Sequence, residues 1–214
     1  MSKSILIIGT GSGLSQGVAE KFAAQGFTVS LISRNAQNLE NIKQQLNAKG
    51  IEVTYAAADA GNAQQLSTAI TNLSEFNSGF DVVLYNAAVL KAKDIFEETS
   101  ASLTEEFTIN VANALHSLQM AYPGLKQKQG AFLLTGGGLS VNPSADYGSL
   151  SIGKAGLRSL AYQLHERLKQ DNIYVGLLTV AGFIKPESPT HSPAVLADLF
   201  WNLYNERTAV EFQQ

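Results

Sequence analysis

The sequence predicts an α/β fold: a doubly wound parallel sheet of about seven strands with helices on both faces, in a single domain spanning residues 1–214. Three observations carry this. Short β-rich apolar runs alternate with longer amphipathic stretches along the whole chain, as strands joined by right-handed helical crossovers do. Runs such as Val82-Val83-Leu84 are apolar without alternation, which fits strands covered on both faces. A glycine-rich turn joins the first strand pattern to the first helix pattern within the opening dozen residues.

Taken in order, the first strand is predicted over 4–8, the apolar run Ser4-Ile5-Leu6-Ile7-Ile8. It runs into Gly9-Thr10-Gly11-Ser12-Gly13-Leu14-Ser15, and a helix is predicted over 13–25 with Val18, Phe22 and Ala23 at helical spacing. Strand, glycine turn and helix open a Rossmann-like dinucleotide-binding βαβ unit. Glycines let the backbone take positive φ and approach a pyrophosphate closely, and the free N–H groups of the helix start hold the anion. The same turn also serves purely structural strand–helix junctions. Further strands are predicted over 28–32, 52–57, 81–85, 131–135, 174–180 and 209–212. Further helices are predicted over 36–49, 63–74, 103–122, 145–170 and 193–205. Gly26 and Gly50 stand where helix C-caps belong.

Composition narrows the function classes. The chain has 214 residues, 45% apolar and 15% charged, with a net charge of −3 and no cysteine. No basic patch stands out, so nucleic acid is not an expected partner. No thiolate metal site or disulfide framework is possible, and His116, His165 and His191 lack ligand spacing, so no metal is expected. The N-terminal apolar run is four residues and ends in glycine, unlike a signal peptide, and no stretch nears 18 apolar residues. No membrane association is expected, and the location expected is cytoplasmic.

The end of the second strand chooses the dinucleotide. A carboxylate there binds the ribose 2′-hydroxyl of NAD, whereas an arginine accommodates the 2′-phosphate of NADP. This chain reads Leu31-Ile32-Ser33-Arg34-Asn35, with no acid. Arg34 offers a planar fork to a phosphate, and Ser33 and Asn35 add hydrogen bonds, so NADP(H) is expected over NAD(H). The alternative is a surface arginine ahead of a helix. Asp59, before Ala60, follows the third strand, and Asn86, before Ala87 and Ala88, follows the fourth. Both stand on the crevice edge, as cofactor contacts or as turn formers.

In these motifs the chain resembles the short-chain dehydrogenase/reductase family over nearly its whole length. The family's Thr-Gly-x-x-x-Gly-x-Gly turn resembles Ile8 to Ser15, with Ile8 for the threonine and Ser15 for the last glycine. Its Asp-Val adenine contact resembles Asp59-Ala60, and its Asn-Asn-Ala-Gly resembles Tyr85-Asn86-Ala87-Ala88. Its active-site asparagine resembles Asn110, a poor helix former in mid-helix, and its lysine resembles Lys154 among small and apolar neighbours. Its Pro-Gly after the sixth strand is Ala181-Gly182 here, followed at the nicotinamide end by Ile184, and Pro186 stands where the family often has threonine.

Two family residues are missing. The tyrosine expected four residues before the lysine is Leu150, and the serine expected thirteen before that is Gly137. Leucine has no proton to give to a carbonyl oxygen. Tyr147, Ser151 and Lys154, however, follow i, i+4, i+7 spacing on the helix predicted over 145–170. Tyr147 is therefore a candidate displaced general acid and Ser151 a candidate relay; the alternative is packing roles for both. Lys154 would hold the nicotinamide ribose and Asn110 anchor a water for proton resupply.

The resemblance thus implies an NADP(H)-dependent oxidoreductase acting on a small carbonyl or the corresponding alcohol. The missing tyrosine and serine leave open a catalytically decayed NADPH-binding sensor or scaffold. The family's dimer interface implies a homodimer or homotetramer through the helices predicted over 103–122 and 145–170, where Ala155, Gly156, Ser159 and Ala161 permit close approach. Pocket lining is expected from the loops 88–99, 138–146 and 183–192, with little room for a lid after Gly182.

Overall fold

A computed structural model describes residues 2–214. Seven parallel strands form one sheet: β1 (Ser4–Ile8), β2 (Thr28–Ser33), β3 (Val53–Ala57), β4 (Val82–Tyr85), β5 (Ala131–Thr135), β6 (Tyr174–Thr179) and β7 (Glu211–Gln213). Their spatial order is β3-β2-β1-β4-β5-β6-β7. The order reverses between β1 and β4, so the loops leaving the C-terminal ends of these strands diverge and open a crevice.

Seven α-helices cover the sheet: α1 (Leu14–Ala24), α2 (Ala36–Asn47), α3 (Ala63–Asn77), α4 (Ser100–Phe107), α5 (Asn113–Lys128), α6 (Gly148–Leu168) and α7 (Pro193–Glu206). Successive strand side chains point to opposite faces. Ile5 and Ile7 therefore meet Val18 and Phe22 of α1, Leu39 of α2 and Phe200 of α7 in one core. Leu6 and Ile8 meet Ile70 of α3, Leu118 of α5 and Leu157 of α6 in the other. All four β1 side chains from Ile5 to Ile8 are fully buried, each contributing roughly 1.5–3 kcal/mol. No helix of the described residues is long and apolar enough to cross a membrane.

Local chemistry sets the boundaries. Asn35, Asn62 and Ser192 cap α2, α3 and α7, each accepting a backbone N–H of the first turn. After α1, Gly26 takes φ +84° and donates to Ala23 O, while Phe27 donates to Phe22 O, closing the helix.

Two helices differ from the periodicity. The stretch predicted as one helix over 103–122 is α4, then a π-helical turn at Thr108–Ala112, then α5 running on to Lys128. Pro123 reads as a helix end because it lacks an N–H. It lies inside α5 because it and Gln119, the carbonyl left without a donor, both face solvent. The helix predicted from 145 begins at Gly148. Ahead of it, the backbone is bonded to a neighbouring strap instead: Lys93 N donates to Asp146 O, Ile95 N to Ala145 O, and Gly148 N to Lys93 O. β7 is also shifted, covering 211–213 in place of 209–212.

Candidate active site

The crevice is a cleft of about 1450 Å³ along the C-terminal edge of the sheet. Its first wall is the turn after β1. Gly9 takes φ +89°, and a Cβ there would fall 2.3 Å from Ala87 N, so only glycine fits. Asn86 Nδ2 donates to Gly9 O at 2.9 Å, locking the turn against the loop after β4. Gly11 and Gly13 have open space where side chains would stand. No side chain caps the start of α1, so its first N–H groups remain open to an anion. Ser15 fills the last glycine position without blocking the turn. Its hydroxyl accepts from Gly11 N at 2.8 Å and donates to Gly11 O at 3.0 Å, taking up an N–H that a glycine would leave to the ligand.

The adenine end is polar. Ser33, Arg34 and Asn35 line it, together with Asp59 and Ala60. Arg34 is exposed, and its guanidinium has no hydrogen-bond or ion-pair partner among the described residues. Asn35 is engaged as the α2 cap, accepting from Asn38 N at 3.0 Å. Asp59 Oδ1 accepts from Gly61 N at 2.8 Å, an Asx turn.

Of the predicted cofactor residues, Gly9, Thr10, Gly11, Gly13, Leu14, Asn86, Ala87, Ala88, Lys154, Gly182 and Ile184 also line the cleft. Ser12 does not. It turns to a separate hollow beside Gln16 and Pro193. Thr10 contributes backbone only, since its hydroxyl donates to Ile7 O. The loop after β6 is tied down by Ala181 N to Gln214 O at 2.7 Å and by His191 N to Ser188 Oγ at 2.9 Å.

The catalytic end keeps its lysine. Lys154 is buried, and its ammonium donates to Thr135 O at 2.8 Å. Burial pushes its pKa down to about 8. Leu150 stands at the cleft wall where the family tyrosine would be. Gly137 leaves ordinary contact room, since a Cβ there would lie 3.4 Å from Lys154 Cδ, so the missing serine is not excluded by sterics.

Tyr147 reaches the cleft wall by a different route from the helical face its spacing suggests. It is the N-cap of α6, paired in parallel with Lys93 through the strap. Its hydroxyl makes no hydrogen bond among the described residues. Ser151 is brought elsewhere: it is buried, outside the cleft lining, and its hydroxyl accepts from Ser144 N at 3.1 Å. The helix phase is the physical reason: Leu150 and Lys154, four residues apart, face the cleft, and Ser151, one residue on from Leu150, turns toward Ser144. Asn110 lies in the π-helical turn, buried behind the cleft. Its Oδ1 accepts from Val89 N at 2.8 Å, fixing the loop after β4, while its Nδ2 is buried without a partner. Gly153 permits this approach, as a Cβ there would fall 2.7 Å from Asn110 Nδ2.

Val89, Leu90, Asn142 and Phe183 line the cleft from within the loops 88–99, 138–146 and 183–192 expected to line it, although no residue type singled them out. Their only signal is position, since each follows the C-terminal end of a strand by a few residues.

A family model described as short chain dehydrogenase matches residues 3–190. The chain belongs to the short-chain dehydrogenase family. Among curated relatives, it is 24% identical over 181 residues to a 3-dehydrosphinganine reductase of Arabidopsis thaliana, covering 82% of this chain and 54% of that protein. The chain thus matches about half the length of that relative. Among solved structures, L-sorbose reductase from Gluconobacter frateurii, complexed with NADPH and L-sorbose, superposes with TM-score 0.91 at 21% identity over 100% of this chain and 95% of that one. A short chain oxidoreductase from Pseudomonas aeruginosa, described as containing an atypical catalytic center, superposes with TM-score 0.90 at 14% identity over 99% of this chain and 95% of that one. The Rossmann-like seven-stranded fold read from the sequence is the fold these short-chain dehydrogenase structures share.

Proposed function

We propose that this protein is an NADP(H)-dependent oxidoreductase that interconverts a small carbonyl and its alcohol. The observation that carries the reading is one continuous cleft holding the glycine turn, the unpartnered Arg34, the buried Lys154 and the free Tyr147 hydroxyl. The residues fit a nicotinamide dinucleotide: the open space at Gly11 and Gly13 admits a pyrophosphate, and Arg34 would take the 2′-phosphate. The NADPH complex of L-sorbose reductase, a structure of the same fold, supports the same cofactor class. NADP preference over NAD rests on Arg34 and the missing acid.

The bound cofactor would supply a hydride to the carbonyl carbon and be oxidised. Tyr147 would give its phenolic proton to the carbonyl oxygen, completing the alcohol, and regain a proton from solvent at the open mouth. Lys154 would hold the nicotinamide ribose, Gly182 and Ile184 would flank the ring, and Asn110 would support the loop after β4 that closes the site. Ile152 of α6 and Phe107 of α4, whose ring lies over Gly156 of α6, are partly exposed. They support association as a homodimer through these helices, which light scattering under native conditions tests.

A second reading is favoured by Leu150 and Gly137, which leave no hydroxyl at the two family positions: a NADPH-binding protein without turnover. Fluorescence titration with NADPH and NADH, followed by turnover of carbonyl substrates by wild type and Tyr147→Phe, separates the two. Tight NADPH binding with turnover that Tyr147→Phe abolishes supports the enzyme; binding without turnover supports the sensor; no binding of either nucleotide ends both.

A further inference from the structure

The substrate end of the cleft is unlike its adenine end. Three loops, each leaving a different strand, converge on it. Leu90 comes from the loop after β4, Leu139 from the loop after β5, and Phe183 and Ile184 from the loop after β6. Two of these side chains are large, apolar and almost fully in water: Leu90 is 79% exposed and Phe183 80%. Single exposed apolar residues are common on surfaces. Here they line the same cavity, with Leu150 at the wall where the family has a polar hydroxyl, so the rim and the wall are both apolar.

Charge gives the second half of the observation. Among the described residues, three charged side chains line the cleft. Arg34 and Asp59 belong to the adenine end. Lys154 is buried and already donates to Thr135 O. The exposed Lys91 and Lys185 flank the mouth beside Leu90 and Ile184, but no further charged side chain lines the cleft wall to meet a substrate carboxylate or phosphate. The polar side chains on the substrate side are Tyr147, Asn142 and, beside Lys154, Thr135 with its unpartnered hydroxyl, enough for one carbonyl oxygen and too few for a polyol, whose unpaired hydroxyls would be desolvated without partners.

From the convergence of Leu90, Leu139, Leu150, Phe183 and Ile184 on a cleft end whose wall holds no free charge, we propose that the substrate is an uncharged carbonyl with an extended apolar body, an alkyl or aryl ketone or aldehyde. This rests on the oxidoreductase reading given above and specifies its substrate class. The carbonyl sits at Tyr147, and the apolar body runs outward over Leu90 and Phe183. Water leaves both surfaces as it binds.

The test is a homologous series of alkan-2-ones, from butan-2-one to decan-2-one, with NADPH. Initial rates give kcat/KM, and calorimetric titration with and without NADP+ gives binding. The expected result is a rise of about two- to fourfold per added methylene, the factor a partly to fully buried CH2 supplies. Leu90→Ser/Phe183→Ser flattens that slope. Phe76→Ser, which removes an equally exposed aromatic on α3 away from the cleft, leaves it unchanged. A flat or falling series overturns the proposal, as does better turnover of a ketose or 2-oxo acid of equal size. If no carbonyl is reduced, the titration decides: affinity rising with chain length keeps the apolar class and overturns the reductase reading. Absence of any chain-length dependence in binding overturns the proposal itself.

Discussion

At the turn between β1 and α1 the departures from the family pattern are absorbed. Ser15 replaces a glycine, yet its hydroxyl bonds both ends of Gly11 and the cradle keeps its shape. In α6 and in the loop after β5 the departures remove two hydroxyls instead. Leu150 and Gly137 occupy well-formed positions on an intact scaffold, and neither carries a protic group. The difference is between sites made of backbone and sites made of side chains. A phosphate cradle is built from N–H groups and from space, so a small substitution is tolerated if it satisfies the backbone. A proton donor is one atom on one side chain, and its loss can be offset only by another donor arriving from nearby. In the proposed function Tyr147 is that neighbour, brought to the cleft by the Lys93 strap.

The comparison breaks first at Gly9. Gly9→Ala puts a Cβ against Ala87 N at positive φ and is expected to cost about 3 kcal/mol or more, with loss of NADPH binding. Urea unfolding and nucleotide titration measure both, and a wild-type midpoint would show that the cradle is not backbone-determined. Next is Tyr147→Phe, for which kcat should fall about 10²-fold or more with NADPH affinity unchanged. An equal rate would remove Tyr147 as the general acid.

Lys154 offers a pH test. Its pKa is about 8 in the fold against 10.5 free. Between these values the unfolded chain binds a proton that the native state has released, so stability rises with pH across that window. Below pH 8 the buried ammonium costs up to roughly 3 kcal/mol. The stability of wild type relative to Lys154→Met should therefore increase from pH 7 to pH 10, and a pH-independent difference in urea unfolding would contradict it.

Arg34→Ala sharpens the nucleotide half. Losing charge-assisted bonds to a 2′-phosphate should weaken NADPH on the order of 10- to 100-fold and leave NADH nearly unchanged. The smallest effect belongs to Ser151→Ala. It strands the Ser144 N–H, lowering stability by about 1 kcal/mol while turnover stays at the wild-type rate. A large loss of turnover would return Ser151 to the catalytic set.

Much of the fold was legible in the chain because its signals are local. Apolar runs of four to six residues, helical spacings and glycines past helix ends each act within a turn or two of their own position. The nucleotide half of the site was legible for the same reason: Gly9 to Ser15 form one turn, and Arg34 follows one strand. Asn110 drew notice as a poor helix former, and it lies in a π-helical turn. That local irregularity is what its sequence signal reported. Its buried Nδ2 and its grip on Val89 depend on a partner loop 21 residues away, which no local pattern records.

By itself, then, the sequence determined the parallel α/β sheet, the glycine cradle, the absent acid after β2 and the loss of the family tyrosine and serine. Each of these is a residue type at a counted distance from a strand or helix end. Only the tertiary structure decided that α6 starts at Gly148, that Tyr147 faces the cleft while Ser151 turns away, and that Leu90 and Phe183 meet across one mouth. The reason is the Lys93 strap and the loops after β4, β5 and β6. Their conformations are set by hydrogen bonds and contacts between segments distant in sequence, and a helical spacing rule applies only after the helix has begun.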